Sequence, residues 1–297
     1  MTGHPSAALL RGLVALGVVA AGPVAASEVR IEIVPATVRP GDVLVIHVAG
    51  ARAHLRGEWA GRTLRLFPVS GGMAALAGVD LEAQPAAISW RLTRAVAAGR
   101  MSAVVGEGSV PVRPREFATQ RLTLPREQVD LDARTLARVR AERAELKAAL
   151  AGGVGRRLWR GRFCVPVEGG TPTGRFGLRR IINGQRRSPH AGYDWAAPRG
   201  APVRAANAGR VALVAEHFFA GTFVVLDHGL GLFTLYLHLD ESLVSRGETV
   251  RCGQPIGRVG ASGRATGPHL HFAARLDGAR IDPESLLALS LPGVRRD

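Results

Sequence analysis

The residues in this chain whose types and spacing could do chemistry are histidines. Of the nine, His4, His47 and His54 lie upstream, while His190, His217, His228, His238, His269 and His271 fall after residue 157. Three segments hold the informative ones. In His190-Ala-Gly-Tyr-Asp194 the flanking Pro189 and Pro198-Arg199-Gly200 argue against a helix, so a turning or extended backbone must bring His190 and Asp194 together. In Leu232-Phe-Thr-Leu-Tyr-Leu-His238-Leu239, period-two alternation predicts Phe233, Leu235, Leu237 and Leu239 on one strand face. Thr234, Tyr236 and His238 then share the other, and a buried leucine face would aim His238 into a polar groove. In Gly267-Pro-His269-Leu-His271-Phe272 the same period turns Leu270 and Phe272 inward and both histidines outward.

Neutral imidazole and carboxylate are ligands that zinc prefers, and a catalytic zinc keeps three protein ligands with a fourth position open. Two histidines and an aspartate would supply them. The ion would acidify a water and polarise a carbonyl, and an unligated histidine would handle the proton, which together permit amide hydrolysis at neutral pH. A single His-x-His or His-x-x-x-Asp pair is weak; their co-occurrence is much stronger.

Taken in order, these segments resemble the lysostaphin-type zinc metalloendopeptidases. The likeness is carried by Pro189-His190-Ala-Gly-Tyr-Asp194, Gly200-Ala-Pro202-Val203, Ala205-Ala-Asn-Ala-Gly209, Asp227-His228-Gly229, Tyr236-Leu-His238 and Gly267-Pro-His269-Leu-His271-Phe272, and it covers roughly residues 163–287. The resemblance implies that His190, Asp194 and His271 bind Zn2+ and that His238 and His269 are the unligated catalytic pair. It also implies a compact antiparallel β-sheet domain with an open groove and, as substrate, the peptide part of bacterial peptidoglycan. The D-alanyl-diaminopimelate crosslink is the target expected of exported relatives with an N-terminal β-domain, cut for cell-wall remodelling. Two other readings stay open: a non-catalytic cell-wall binding or amidase-activator protein, and an endopeptidase acting on glycine-rich peptides. The remaining histidines, His47, His54, His217 and His228, are expected to be structural or surface residues.

The elements that must position these residues follow from the rest of the chain. Its 297 residues suggest two domains, and a 46% hydrophobic, 21% charged composition with 37 glycines and 18 prolines is that of a turn-rich globular protein. Residues 1–26 read as a signal peptide: an apolar run from Gly12 to Ala21 follows Arg11, and small residues surround Ala26. The expected location is therefore exported, periplasmic or associated with the cell envelope. Residues 27–117 carry alternating Val29, Ile31 and Ile33 and the run Val43-Leu44-Val45-Ile46 after a Pro-Gly-Asp turn, which predicts a small β-sandwich-like domain. Residues 118–156 form a linker with a charged helix between Asp132 and Leu150, either a passive spacer or an element that leans on the next domain and holds it latent. Residues 157–297 form the peptidase domain, so the fold class is mainly β.

A formal charge of +15 draws such a chain toward polyanions. For an exported protein these are anionic envelope polymers rather than nucleic acid. Cys164 and Cys252 are equally consistent with an intradomain disulfide and with separate thiols.

Overall fold

A computed structural model describes residues 29–51, 55–94, 103–123, 125 and 129–291. The expected signal peptide, His4 and His54 lie outside the described residues. The fold is mainly β, and almost all its strand pairs are antiparallel.

The N-terminal strands build two four-stranded sheets. One orders Arg30–Val34, Val43–Ala49, Gly72–Gly78 and Leu66–Val69; the other orders Arg62–Leu64, Leu55–Trp59, Ala87–Arg94 and Ala103–Pro111. Between them Leu44, Ile46, Val48, Leu64, Ala75, Leu92 and Val110 form a closed core. The continuous apolar run at residues 43–46 has a direct cause, since both faces of that strand are covered. Leu44 and Ile46 face the sandwich interior, while Val43 and Val45 join Phe67, Ala74 and Leu76 against Trp159, Leu276 and Ile281 of the C-terminal half. The two halves thus share one hydrophobic core, reinforced by Arg280 bridging to Asp80 and Glu82 and by Arg115 Nη2 at 2.6 Å from Asp282.

The C-terminal half is one ten-stranded sheet. Its main path orders Thr171–Gly174, Tyr193–Ala196, His269–Leu276, Leu232–Ser242, Gly221–Gly229, Gly209–His217 and Thr249–Val250. One face packs on the shared core. The other carries Leu213, Phe223, Val225, Phe233 and Leu235, and the helix Ala133–Ala151 covers it with Leu146, Ala149 and Leu150. Asp132 caps that helix by accepting the Thr135 N–H at 2.7 Å, a bond worth about 1 kcal/mol, and Gly152 closes it. Of the apolar positions at helical spacing, Val139 is buried and Leu146 and Leu150 pack on the sheet, but Leu136 stands 41% exposed. Among the described residues no helix is long and apolar enough to cross a membrane.

One element had no sequence signal. Thr119–Leu122, inside the expected linker, runs parallel to Arg179–Ile182 and makes a small sheet with Gln185–Arg186 at the edge of the C-terminal half.

Candidate metal centre and catalytic groove

Antiparallel pairing places Asp194 directly opposite His271 on neighbouring strands, and His190 enters from the loop just before the Asp194 strand. His190 Nδ1 donates to the Arg175 carbonyl at 2.8 Å, which leaves a lone pair on Nε2. That lone pair faces Asp194 Oδ1 at 3.0 Å and His271 Nδ1 at 2.9 Å, and the last two atoms are 2.7 Å apart. Three electron-rich atoms therefore crowd one small triangle with at most one proton to share. A cation at that point relieves the repulsion. Two imidazole nitrogens and a carboxylate oxygen, all within 4.8 Å of one another, are a donor set that suits a divalent metal accepting N and O ligands, and the backbone carbonyl on the far side of His190 is the outer support such ligands need.

Close backbone approach makes room for the cluster. A Cβ on Gly192 would meet His271 Nε2 at 2.6 Å, and one on Gly174 would collide with the Asp194 carboxylate. Burial, the largest influence on Asp194, pushes its carboxyl up, but the hydrogen bonds and charges of His190 and His271 outweigh it and hold the group well below the usual carboxylate range. His271 is pushed down to about 4, chiefly by burial, so it is a neutral, lone-pair-bearing imidazole at neutral pH.

His238 and His269 complete the arrangement, their rings 4.7 Å apart and His238 6.0 Å from His271. Each donates Nδ1–H to a backbone carbonyl at 2.8 Å, Ser262 for His238 and Gly267 for His269, so each turns a basic Nε2 away from that bond. Burial first, then the nearby charges of His271 and His269, lowers His238 to about 3.

The alternation that led to His238 holds only part-way along its strand. Phe233, Leu235 and Leu237 do share a face, beneath the helix, but Leu239 packs in the other core together with Tyr236. Thr234 and Tyr236 accordingly lie in that core rather than beside a polar groove. The reason is local: pairing with Gly221–Gly229 shifts register between Thr222 and Val224, and His238 takes a positive φ of 63°. The extra residue reverses the parity, and the imidazole lies with its ring 6.0 Å from that of His271. A non-glycine residue in this region costs on the order of 1–3 kcal/mol and is typical of functional sites. Leu270 and Phe272 are fully buried and His269 and His271 half-buried, as the third segment's alternation requires.

All five site residues contribute to or border one groove of about 340 Å³, in which Asp194, His238, His269 and His271 are joined by Thr173, Gln120, Leu122, Arg180 and Arg264. Sequence reasoning missed all five of these additional residues. Arg264 stands in a glycine-rich turn just ahead of the His269 motif and was within reach; Gln120 and Leu122 arrive on the unexpected linker strand. The other histidines are elsewhere. His228 is buried within its strand rather than in a turn, its nitrogens 2.8 Å from the Ala208 carbonyl and 2.7 Å from Thr234 Oγ1, and His217 meets Glu145 of the helix at 2.9 Å. His47 Nε2 is buried with no hydrogen-bond partner among the described residues.

Comparison with known proteins yields a family match. Residues 188–283 match the model of peptidase family M23. A solved structure assigned to M23 from Pseudomonas aeruginosa superposes with a TM-score of 0.66 at 30% identity, covering 84% of this chain and 94% of that one. The chain belongs to peptidase family M23. Among curated relatives of this M23 member, peptidoglycan DD-endopeptidase ShyB of Vibrio cholerae is 46% identical over 94 residues, or 32% of this chain and 22% of that protein. Peptidoglycan DD-endopeptidase ShyC of the same organism is 36% identical over 148 residues, or 48% of this chain and 34% of that protein. These alignments span no more than about a third of either relative's length.

Proposed function

We propose that this M23 member is an exported zinc endopeptidase that hydrolyses peptide crosslinks of bacterial peptidoglycan, with the D-alanyl-diaminopimelate bond as its target. The observation that carries the reading is the convergence of the His190, Asp194 and His271 ligand atoms beneath two histidines whose Nδ1 hydrogens are already committed. The names of the Vibrio relatives favour peptidoglycan as the substrate. A leader-like sequence at residues 1–26 and two cysteines fit an envelope location.

His190, Asp194 and His271 would hold the zinc. When bound, it supplies Lewis acidity, polarising a peptide carbonyl and making water acidic enough to attack near neutral pH. The chain's own residues do the rest. His238 and His269 each have Nε2 free of the bond that fixes Nδ1, so either accepts the proton released by the attacking water. Once protonated, that imidazole becomes a donor, first for the tetrahedral oxygen and then for the departing amine nitrogen. The Ser262 and Gly267 carbonyls hold the rings through both transfers.

The test is release of soluble muropeptides from purified peptidoglycan, with and without a zinc chelator, beside His271→Ala. Cleavage that needs zinc and is lost in the variant supports the reading, and fragment masses identify the bond. Absence of cleavage by the zinc-loaded protein would sink it in favour of a non-catalytic activator; cleavage confined to glycine peptides would replace the substrate.

A further inference from the structure

The small sheet that Thr119–Leu122 joins has two faces, and each lines a different cavity. Thr119–Leu122 runs parallel to Arg179–Ile182, with Gln120 beside Arg180 and Leu122 beside Ile182. Side chains alternate across a strand, so these four share one face, and all four line the catalytic groove. Thr119, Arg179 and Ile181 take the other face and line a separate cleft shared with Leu81 and Glu82 of the N-terminal half. The parity holds along both strands, which makes the linker strand a wall of the groove.

Sheet order fixes the side of the metal ligands on which this wall stands. The strands run Thr171–Gly174, Tyr193–Ala196, His269–Leu276 and Leu232–Ser242, so Asp194 and His271 lie between Thr173 on one flank and His238 on the other. Thr173 Oγ1 is 3.4 Å from the Asp194 carbonyl oxygen, and Arg180 Nη2 is also 3.4 Å from Asp194 Oδ2. The linker wall therefore faces His238 across the metal ligands. In the mechanism above, His238 and His269 return the proton to the departing amine, which puts the amine half of the substrate on their side. The acyl half is left for the wall.

Two properties of the wall suit an acyl residue. Leu122 and Ile182 form an apolar pair, with Ile182 almost fully buried, and an apolar seat favours a small alkyl group over none. Gln120 Oε1 is buried with no hydrogen-bond partner among the described residues. Such an acceptor is costly until an N–H meets it, and rotation about the soft terminal torsion of glutamine brings it to the groove.

The geometry points to Leu122 and Gln120 as specificity-determining residues for the acyl side of the scissile bond. Leu122 seats the methyl group of a D-alanyl residue, and Gln120 accepts a backbone N–H of the same stem peptide. This rests on the endopeptidase reading and narrows it. A glycine bridge offers the N–H but no methyl group, so the two residues sort substrates differently.

Two measurements on the zinc-loaded full chain decide the matter. The first compares hydrolysis of a crosslinked muropeptide dimer with that of the same dimer carrying glycine in place of the acyl D-alanine. The second titrates, by calorimetry and without turnover, a stem tetrapeptide ending in D-alanine against one ending in glycine. A methyl group in an apolar seat is worth about 10-fold or more, and a neutral hydrogen bond about 3- to 10-fold. The D-alanyl form should therefore be preferred about 10-fold in both measurements. In Leu122→Ala that preference should fall toward one. In Gln120→Ala it should survive, while KM rises about 3- to 10-fold for both forms at nearly unchanged kcat. Zinc content and circular dichroism check that each variant stays folded. No preference in the wild type, or a preference that survives in Leu122→Ala together with an unchanged KM in Gln120→Ala, overturns the assignment. A higher kcat/KM in either variant also overturns it and makes the strand a plug. A binding preference that Leu122→Ala abolishes, with no hydrolysis by any form, supports the assignment and overturns the endopeptidase reading instead.

Discussion

Asp194 and His271 face each other across two paired strands, and the same register puts His271 Nδ1 2.7 Å from Asp194 Oδ1. The distance is set by sheet geometry rather than by side-chain reach, so neither ligand can be replaced by a longer or shorter residue without moving its donor atom. His271→Ala should lose bound zinc and at least 100-fold in activity while the sheet stays folded, since the histidine is half-buried and faces the groove. Metal content after dialysis, read beside circular dichroism, checks this; full zinc occupancy in the variant would remove His271 from the ligand set.

His238 answers a different question, because its imidazole can be lost without touching the ligands. Asn tolerates the positive φ at this position better than other residues. His238→Asn should therefore keep the fold and the zinc but lose about 100- to 10,000-fold in kcat, the range for removing a general acid or base. A variant with wild-type turnover would assign proton transfer to His269 alone.

The five residues of the candidate site were legible as a cluster because each sits in a short motif, with local spacing on strands of regular period. Leu270 and Phe272 obey that period and point His269 and His271 correctly. The bulge at His238 was not legible: alternation cannot show a one-residue register shift that depends on the partner strand. Leu239 was accordingly expected on the face of Leu235 and lies on the other. Nor could the sequence show that Thr119–Leu122 would pair with Arg179–Ile182, because that contact joins distant segments through backbone bonds alone. Gln120 and Arg180 entered the groove by that route.

His228 predicts an acid-labile fold. Burial, partly opposed by its hydrogen bond to the Ala208 carbonyl, lowers it to about 4, whereas the unfolded chain titrates near 6.5. Between those values the unfolded state binds the extra proton. The stability that His228 contributes is thus complete above about pH 6.5 and is lost as pH falls toward 4, on the order of 3 kcal/mol in all. Urea unfolding at pH 7 and pH 5 should show a smaller difference in His228→Gln than in the wild type. An equal pH dependence in the two proteins would show that other groups control it.

The Sγ atoms of Cys164 and Cys252 lie 3.5 Å apart, far along the chain from one another. Burial, then contact with Cys164, raises the Cys252 thiol to about 11, so at neutral pH it stays protonated and reacts slowly by itself. Oxidised glutathione should nevertheless join the pair, transferring both thiol electrons to the glutathione disulfide and releasing two reduced glutathione molecules. Intact mass should fall by two hydrogens and stability should rise by roughly 2–4 kcal/mol, with neither change in Cys252→Ser. Mixed glutathione adducts at both positions, in place of the crosslink, would count against pairing.

The helix Ala133–Ala151 is tied to the loop beside the groove through Glu142, next to the Glu145 contact with His217. Both oxygens of Glu142 accept the Phe218 N–H at 3.0 Å, and two residues on, the Ala220 carbonyl receives the His238 N–H at 2.9 Å. The loop that holds His238 in its strained conformation is thus anchored to the helix, which gives the helix a task beyond spacing. Removing the first 153 residues would not isolate that task, because it also strips Val43, Val45, Phe67, Ala74 and Leu76 from the shared core. Glu142→Ala does isolate it. The variant should lose about 1–3 kcal/mol of stability from the unpaired amide. It should also show a lower kcat, with unchanged zinc content, as the His238 loop loosens. If kcat is unchanged while stability falls, the helix is a spacer; if kcat rises, the helix restrains the groove, and the anchoring of His238 through Phe218 and Ala220 is a brake rather than a support.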